Sequence, residues 1–361
     1  MRAVRGGGPV NKIFEIPLYP YARNADQDAA MPAHHRVAVV GAGPIGLGMA
    51  IDLAMRGVEV VVLDDNDRVS FGSRAVCYAK RPLEILDRLG CGQPMVDKGV
   101  EWNLGKVFFD TRQIYDFNLL PEGGHERPAF INLQQYYFEE YLVDRLRALQ
   151  AEGAPIDLRG GSKVVDVENG SERATLTIDT PDGPYRITAD WVVACDGAAS
   201  PTRRMLGLDF VGKVFEDNFL IADVIMQADF PTERWFWFDP PFNRGQSALL
   251  HKQPDGVWRI DLQLGWDIDK EEEKKLASLD ERLLVTMDRF AKAEPEDLKK
   301  FSNIFRPKFR HINPMVTGLS AHMDKDMEPF FRFLRASLPC SEEMLEFMEK
   351  YDFKQNLSVV S

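Results

Sequence analysis

Basic charge is in short supply. The 361 residues carry 44 Lys and Arg against 56 Asp and Glu, a formal net charge of −12. No stretch is basic enough to follow a phosphate backbone, which argues against a nucleic-acid partner. Cysteine is scarce too. Cys77, Cys91, Cys195 and Cys340 include no pair at C-x-x-C spacing, so neither a zinc site nor a redox dithiol is indicated. Scattered single cysteines fit a reducing cytosol. The six histidines form no H-E-x-x-H, and His34-His35 reads as solvated residues in a loop ahead of the first strand. No run approaches the ~18 consecutive apolar residues of a membrane span. The N-terminal Met1 to Gly8 lacks the apolar core of a signal peptide. The expectation is a soluble, cytoplasmic protein without metal. With 45% hydrophobic residues it still buries a sizeable core, and its length suits two or three domains.

What the chain does have begins near residue 36. Arg36-Val37-Ala38-Val39-Val40 leads straight into Gly41-Ala42-Gly43-Pro44-Ile45-Gly46, the G-x-G-x-x-G spacing. A small-residue helical pattern follows, then a second apolar run from Val58 to Leu63 that ends in Asp64-Asp65. That is strand, tight turn, helix, strand, acid. Gly41 permits the turn, Gly43 lets backbone approach a pyrophosphate, and Gly46 lets the helix lie close on the sheet. The helix N-terminus offers unpaired N–H groups and a positive dipole end. Asp64, 18 residues past Gly46, stands where a ribose-binding acid is expected. Alone, it reads equally as a solvated strand end.

Along the chain, residues 1 to 34 read as an extended arm or a disordered lead-in. Arg74 lies in a loop after the acidic strand end, placed either to grip a pyrophosphate or as an ordinary surface arginine. Pro82 to Leu89 has helical spacing with Gly90 as its stop. Residues 102 to 119 look like short strands. A helix is expected from Asn132, with Gln134 and Gln135 in its first turn, either bonding a cofactor or capping. Residues 155 to 195 alternate as strands, with a hairpin turn at Thr180 to Pro184. Asp190 to Cys195 reads as a buried strand running into Asp196-Gly197. Residues 217 to 265 suggest an antiparallel, aromatic-rich meander, its rings either walling a pocket or filling a core. From about Asp267 the chain turns charged, then helical.

Together these stretches resemble the FAD-dependent aromatic-ring hydroxylases, the single-component flavoprotein monooxygenases, and most of all the 3-(3-hydroxyphenyl)propionate hydroxylase and phenol-hydroxylase branch. Over about residues 36–266 the resemblance implies an α/β protein, with a Rossmann-like FAD-binding domain, incomplete, over 36–210 and an antiparallel β-sheet substrate domain over 211–266; an N-terminal arm over 1–35 and a helical C-terminal tail of unclear origin over 267–361 flank them. It implies FAD contacts at Gly41, Ala42, Gly43, Pro44, Ile45 and Gly46, at Asp64 and Asp65, at Arg74 and Gln135, and at Asp196, Gly197 and Arg203. It implies hydroxylation of a small, phenol-like aromatic substrate by O2, with NADPH or NADH as reductant, through a flavin hydroperoxide. It assigns no catalytic side chain and leaves a homo-oligomer open.

One departure stands out. The family has a third motif, a strand ending in Gly-Asp before a Pro- and Gly-rich loop that holds the ribityl chain. Beyond Gly265 this chain has one glycine, Gly318. A backbone cradle cannot be built from Lys, Glu, Phe and Met. Losing three or four hydrogen bonds costs roughly 2–5 kcal/mol of flavin affinity. The alternative function is therefore a truncated, non-catalytic FAD- or nucleotide-binding protein.

Overall fold

The apolar run ahead of the glycines becomes the central strand of a sheet. The computed structural model describes residues 18–70, 75–212, 218–225, 231–240, 243 and 245–264. In chain order the elements are β1 (Ala33–Val40), α1 (Pro44–Met55), β2 (Val60–Leu63), β3 (Cys77–Ala79), α2 (Lys80–Leu89) and α3 (Gly92–Lys98). Then come β4 (Val100–Trp102), β5 (Leu104–Phe109), β6 (Arg112–Asn118), β7 (Phe130–Asn132) and α4 (Gln135–Ala151). β8 (Ile156–Arg159), β9 (Lys163–Asn169), β10 (Ala174–Asp179), β11 (Tyr185–Ala194) and α5 (Pro201–Met205) follow. The last four are β12 (Asn218–Ile225), β13 (Arg234–Phe238), β14 (Ser247–Lys252) and β15 (Val257–Leu264). They fall into two units, Met1–Gly99 with Leu133–Lys213, and Val100–Asn132 with Val214–Ser361. The sequence boundaries kept Val100–Asn132 inside the 36–210 domain; the structure puts this segment in the second unit, where β5 pairs with β13.

In the first unit the strand order is β8-β2-β1-β11-β10-β9. β8, β2, β1 and β11 are parallel, and β10 and β9 continue the sheet antiparallel. β1 and β2 are central because they are apolar on both faces: Val37 to Val40 and Val60 to Leu63 are all buried. α1 packs beside α4, burying Leu47, Ala50 and Ile51 with Leu142, Val143 and Leu146. Ala38, Val40, Val61 and Leu63 join Val164, Leu176, Ile178 and Ile187 in a second cluster.

Three expectations in this unit are corrected. Residues 18–32 are not an arm: Tyr19 N donates to Asp67 O, its hydroxyl donates to Arg68 O, and an Asn24–Gln27 capping box opens a short turn at Ala25–Asp28. Residues 1–17 lie outside the described residues. His34 and His35 lie within β1, not in a loop, and His35 is buried between carboxylates, Nε2 2.8 Å from Asp26 and Nδ1 3.4 Å from Glu59. Asp190 to Cys195 is not a buried strand throughout. Tyr185, Ile187 and Ala189 are covered, but Trp191 is 70% exposed.

Asp26 ties the returning segment down. Besides His35 it holds Arg159 at 2.7 Å, and Arg159 also reaches Asp157 and the Tyr185 hydroxyl. Burial pushes the Asp26 carboxyl up, but the bonds from His35 and Arg159 outweigh it and hold it below its usual value. A carboxyl lowered in this way stabilises the fold above its unfolded pKa and loses that contribution as pH falls through the folded value. Asp26→Ala is expected to cost about 3 kcal/mol at neutral pH, read as a lower urea midpoint. The gap to the parent should close below about pH 4.

In the second unit the strand order is β12-β15-β14-β13-β5-β6. This corrects the meander: β12 lies beside β15 and not beside β13, and β13 runs parallel to β5. Asp223 of β12 supplies a reason, accepting from Arg259 of β15 at 2.8 and 2.7 Å. One sheet face is a packed core of Phe108, Trp235, Trp237, Leu250, Trp258, Ile260 and Leu262. The three tryptophans of the aromatic pattern, Trp235, Trp237 and Trp258, are therefore core, while Phe219 and Phe238 are exposed. The helix expected from Asn132 is also corrected. Phe130–Asn132 is β7, whose Asn132 amide accepts from Trp102 Nε1 at 3.0 Å and donates to Lys252 O at 2.7 Å. In the first unit α4 starts at Gln135, with Gln134 as its N-cap residue. The helical pattern expected from Asp267 onward lies outside the described residues.

Candidate functional site

β1 ends where the glycines begin. Gly41 N donates to Leu63 O at 2.8 Å, and Val40 O accepts from Cys195 N at 2.7 Å, so the turn is strung between the ends of β2 and β11. Gly41 has φ +104°, and a Cβ there would stand 2.6 Å from Cys195 O. Only glycine satisfies both conditions. A Cβ on Gly46 would overlap the Gly41 carbonyl oxygen. Gly43 is different: at φ −75° it is the N-cap residue of α1, and a Cβ there would meet nothing within 4 Å. Ala42 is buried, Pro44 takes the first helical position and Ile45 is 72% exposed. The first-turn N–H groups of a helix lack intrahelical partners, and the helix dipole is positive there. Open space therefore fronts a site suited to an anion.

The same hydrogen bonds bring two acids to this end of the sheet, Asp64 after β2 and Asp196 after β11. Asp64 Oδ2 accepts from Ala42 N at 2.5 Å, and Oδ1 accepts from Asn66 N at 2.8 Å. Asp65 is exposed and accepts from the Asn66 side chain. Asp196 is turned into its own loop, accepting from the Ser200 hydroxyl at 2.6 Å and Thr202 N at 2.8 Å. Burial pushes the Asp196 carboxyl up, but those bonds hold it below the usual range. Gly197 sits at φ +83° in this loop. Arg203 donates to Ala198 O at 3.0 Å and stands 5.1 Å over the Phe210 ring. Asp196 and Arg203 thus shape the loop leading into α5 from within.

Gln135 opens α4. Its Oε1 accepts from Ala75 N at 3.0 Å and its Nε2 donates to Glu139 Oε1 at 2.7 Å. Glu139 Oε2 accepts from Ser70 N at 2.6 Å. Two side chains one helical turn apart therefore fix Ser70 and Ala75. Arg74 lies outside the described residues. Glu139 was not among the sequence candidates. It is 3% exposed, and burial, with Asp64 nearby, pushes its carboxyl up. Its signal was a charge within the buried stripe of Tyr136, Leu142 and Val143, four residues from Gln135.

These residues fit a flavin dinucleotide. The open front of Gly43 leaves room for a pyrophosphate, and the Asp64 carboxylate adjoins the same turn. Burial pushes the Asp64 carboxyl up, more than the N–H groups of Ala42 and Asn66 pull it down. Ribose hydroxyls donate best to the ionised form. FAD affinity should therefore be full above the raised pKa and fall as pH drops through it, at a higher pH than for an ordinary aspartate near 3.9. Flavin fluorescence titrations across pH read this out. Asp64→Asn should bind about tenfold more weakly and flatten the profile. Among the described residues no cluster of His, Cys, Asp or Glu is arranged to hold a metal, and no helix is long and apolar enough to cross a membrane.

Comparisons with known proteins agree with this geometry. A family model described as "FAD binding domain" matches residues 34–302, past the boundary at 266 expected from the sequence. The 12-dehydrotetracycline 5-monooxygenase/anhydrotetracycline 6-monooxygenase of Streptomyces rimosus is 31% identical over 237 residues, 63% of this chain and 41% of that protein. The para-nitrophenol 4-monooxygenase of a Pseudomonas species is 28% identical over 233 residues, 62% of this chain and 55% of that protein. The chain spans about half the length of these curated relatives. Among solved structures, p-nitrophenol 4-monooxygenase PnpA from Pseudomonas putida superposes with a TM-score of 0.61 at 26% identity, covering 68% of this chain and 61% of that one. The flavin-dependent monooxygenase PieE, solved with FAD and substrate, shares the fold at a TM-score of 0.59 and 19% identity, covering 70% of this chain and 47% of that one. A family match over well more than half of the sequence, on a sheet whose glycine turn already has the form a dinucleotide needs, leads to one assignment: the chain belongs to the FAD binding domain family.

Proposed function

We propose that the protein is an FAD-dependent monooxygenase that hydroxylates a small, phenol-like aromatic substrate, with NADPH or NADH as reductant and O2 as oxidant. The observation that carries this reading is the family match over residues 34–302 together with relatives named as monooxygenases, one of them of para-nitrophenol. The hydride acceptance and oxygen activation are chemistry that bound FAD supplies. The protein's part is binding and orientation. The α1 N-terminus faces the pyrophosphate, Gly43 gives it access, and the Asp64 carboxylate accepts from the ribose. Gln135 and Glu139 hold the backbone on either side of Arg74, the proposed pyrophosphate or flavin contact. Asp196, Gly197 and Arg203 hold the loop beside the glycine turn, and Asp65 lies at its rim.

The test is a spectrum followed by an assay. Purified protein should be yellow or take up added FAD, and a phenol should stimulate its oxidation of NADPH or NADH. Protein that takes up no FAD would sink the reading. The glycine-poor sequence beyond Gly265 favours a second reading, FAD binding without turnover. It predicts uptake of FAD with no phenol-stimulated oxidation.

A further inference from the structure

The βαβ unit that takes a dinucleotide begins at its first strand. Residues 18–32 come before β1, yet they are fastened to the loop that carries Asp64. Tyr19 N donates to Asp67 O at 3.0 Å, and the Tyr19 hydroxyl donates to Arg68 O at 2.7 Å. Tyr19 is 8% exposed. Burial, with Asp64, Glu139, Asp67 and Asp65 near it, pushes this hydroxyl up, so it keeps its proton and serves as a donor. Two more carbonyls of the loop are held from the turn between β8 and β9. Ser162 N donates to Asp64 O at 2.7 Å, and Gly161 N donates to Asn66 O at 2.9 Å. Residues 64–68 are thus gripped by two segments, and Tyr19 belongs to one of them.

The sequence makes room for this contact. A Cβ at Gly160 would overlap the Tyr19 carbonyl oxygen and stand 3.1 Å from Asn66 O. Gly160 is not in the left-handed region. The close approach of residue 19, and not backbone conformation, therefore calls for glycine there. The far end of the segment is tied to the same place. Asp26 holds Arg159 at 2.7 Å, and Arg159 O accepts from Asp64 N at 3.1 Å. What the loop fixes is the direction of the acid. Asp64 Oδ1 accepts from Asn66 N at 2.8 Å, the local bond of an Asx turn. Its other oxygen accepts from Ala42 N in the glycine turn. A carboxylate held in this way binds a hydroxyl without first giving up freedom of its own.

We propose that Tyr19 is a positioning residue for the adenosine end of FAD, holding residues 64–68 so that Asp64 meets the ribose 2′-hydroxyl already aimed. The proposal rests on the Asp64–ribose contact of the reading above and adds the residue that sets it. Tyr19 acts through the backbone of Asp67 and Arg68 and needs no contact with the ligand. Loss of its bonds should free the loop and cost the 2′-hydroxyl contact. The pyrophosphate contact at the α1 N-terminus should stay. FAD and ADP both carry that hydroxyl, and 2′-deoxy-ADP does not.

The experiment titrates FAD, ADP and 2′-deoxy-ADP into the full chain, FAD by fluorescence and the other two by calorimetry. The parent should bind ADP about tenfold more tightly than 2′-deoxy-ADP. Tyr19→Phe keeps the ring and the backbone N–H and removes only the bond to Arg68 O. It should narrow that ratio to about threefold, and Tyr19→Ala to about twofold or less, with FAD affinity falling in step with ADP. A loss of folded protein lowers both affinities together and leaves the ratio alone, so a merely structural role would not move it. In an Asp64→Asn background, Tyr19→Phe should cost nothing more, because the contact it sets is already gone. A ratio of one in the parent, an unchanged ratio in both variants, or losses that add in the double variant would overturn the proposal. Tyr19→Phe retains the packing, so a Tyr19→Ala protein that fails to fold does not shield it. FAD uptake with no narrowing of the ratio sinks the role of Tyr19 and leaves the monooxygenase reading standing. ADP binding without FAD uptake sinks that reading while the ratio is still measured. A parent that binds neither overturns both.

Discussion

Gly43→Asp is expected to abolish flavin binding and leave the fold intact. A carboxylate at this position is well tolerated by the protein itself. The backbone is at φ −75° and ψ −178°, which any residue adopts, and a Cβ meets nothing within 4 Å. Gly43 is the N-cap residue of α1 and makes no side-chain cap, so aspartate there should add a few tenths of a kcal/mol to stability. The same side chain enters the open space in front of the helix N-terminus and sets a negative charge where a pyrophosphate needs a positive end. Like charges forced together cost several kcal/mol, about a thousandfold or more in affinity. Flavin fluorescence gives the binding and urea denaturation gives the stability. Retained affinity would show that the glycine turn does not hold the pyrophosphate. Lost affinity together with a lowered urea midpoint would mean that Gly43 serves the fold instead.

The elements that could be read in the sequence were those whose causes are local. The apolar run, the three glycines and the helix spacing after them lie within a few turns of chain, and β1, α1 and β2 formed where that pattern put them. The α2 helix with its stop at Gly90 and the hairpin at Thr180 to Pro184 belong to the same group. What the sequence hid depends on distant partners. His35 looked solvated because Asp26 and Glu59, which flank its ring, and Arg159, which shares Asp26, are scattered along the chain. The place of β12 follows from Asp223 meeting Arg259, 36 residues away. Asp196 was legible as a residue of the loop, but not as one whose carboxylate is spent on Ser200 and Thr202. Glu139 has one signature, a polar side chain at a buried position. It becomes visible only once burial is known.

Gly46→Ala tests whether that local reading has the right cause, because two principles give it opposite signs. Alanine is a better helix former than glycine by about 1 kcal/mol, so propensity alone predicts a more stable protein. Packing predicts the reverse. A Cβ at Gly46 overlaps the Gly41 carbonyl oxygen and lies 3.2 Å from Cys195 Cβ. The first contact is with backbone, which cannot swing aside as a side-chain end would. Relief requires moving α1 off the turn, and α1 carries the fully buried Leu47, Ala50 and Ile51. Overpacking of this kind costs about 1–3 kcal/mol and occasionally more. With the backbone directly involved, a net loss of roughly 2–4 kcal/mol is expected, with FAD affinity falling alongside stability, unlike Gly43→Asp. Gly48→Ala, one position pair further along the same helix, is the control. Its Cβ would meet only Leu89 Cδ1 at 3.8 Å, an ordinary contact, so propensity should win and stability should rise by up to about 1 kcal/mol. Opposite shifts of the two urea midpoints would assign Gly46 to close helix–turn packing. A rise in both would mean that the turn yields readily and that the G-x-G-x-x-G spacing is kept here for the ligand alone.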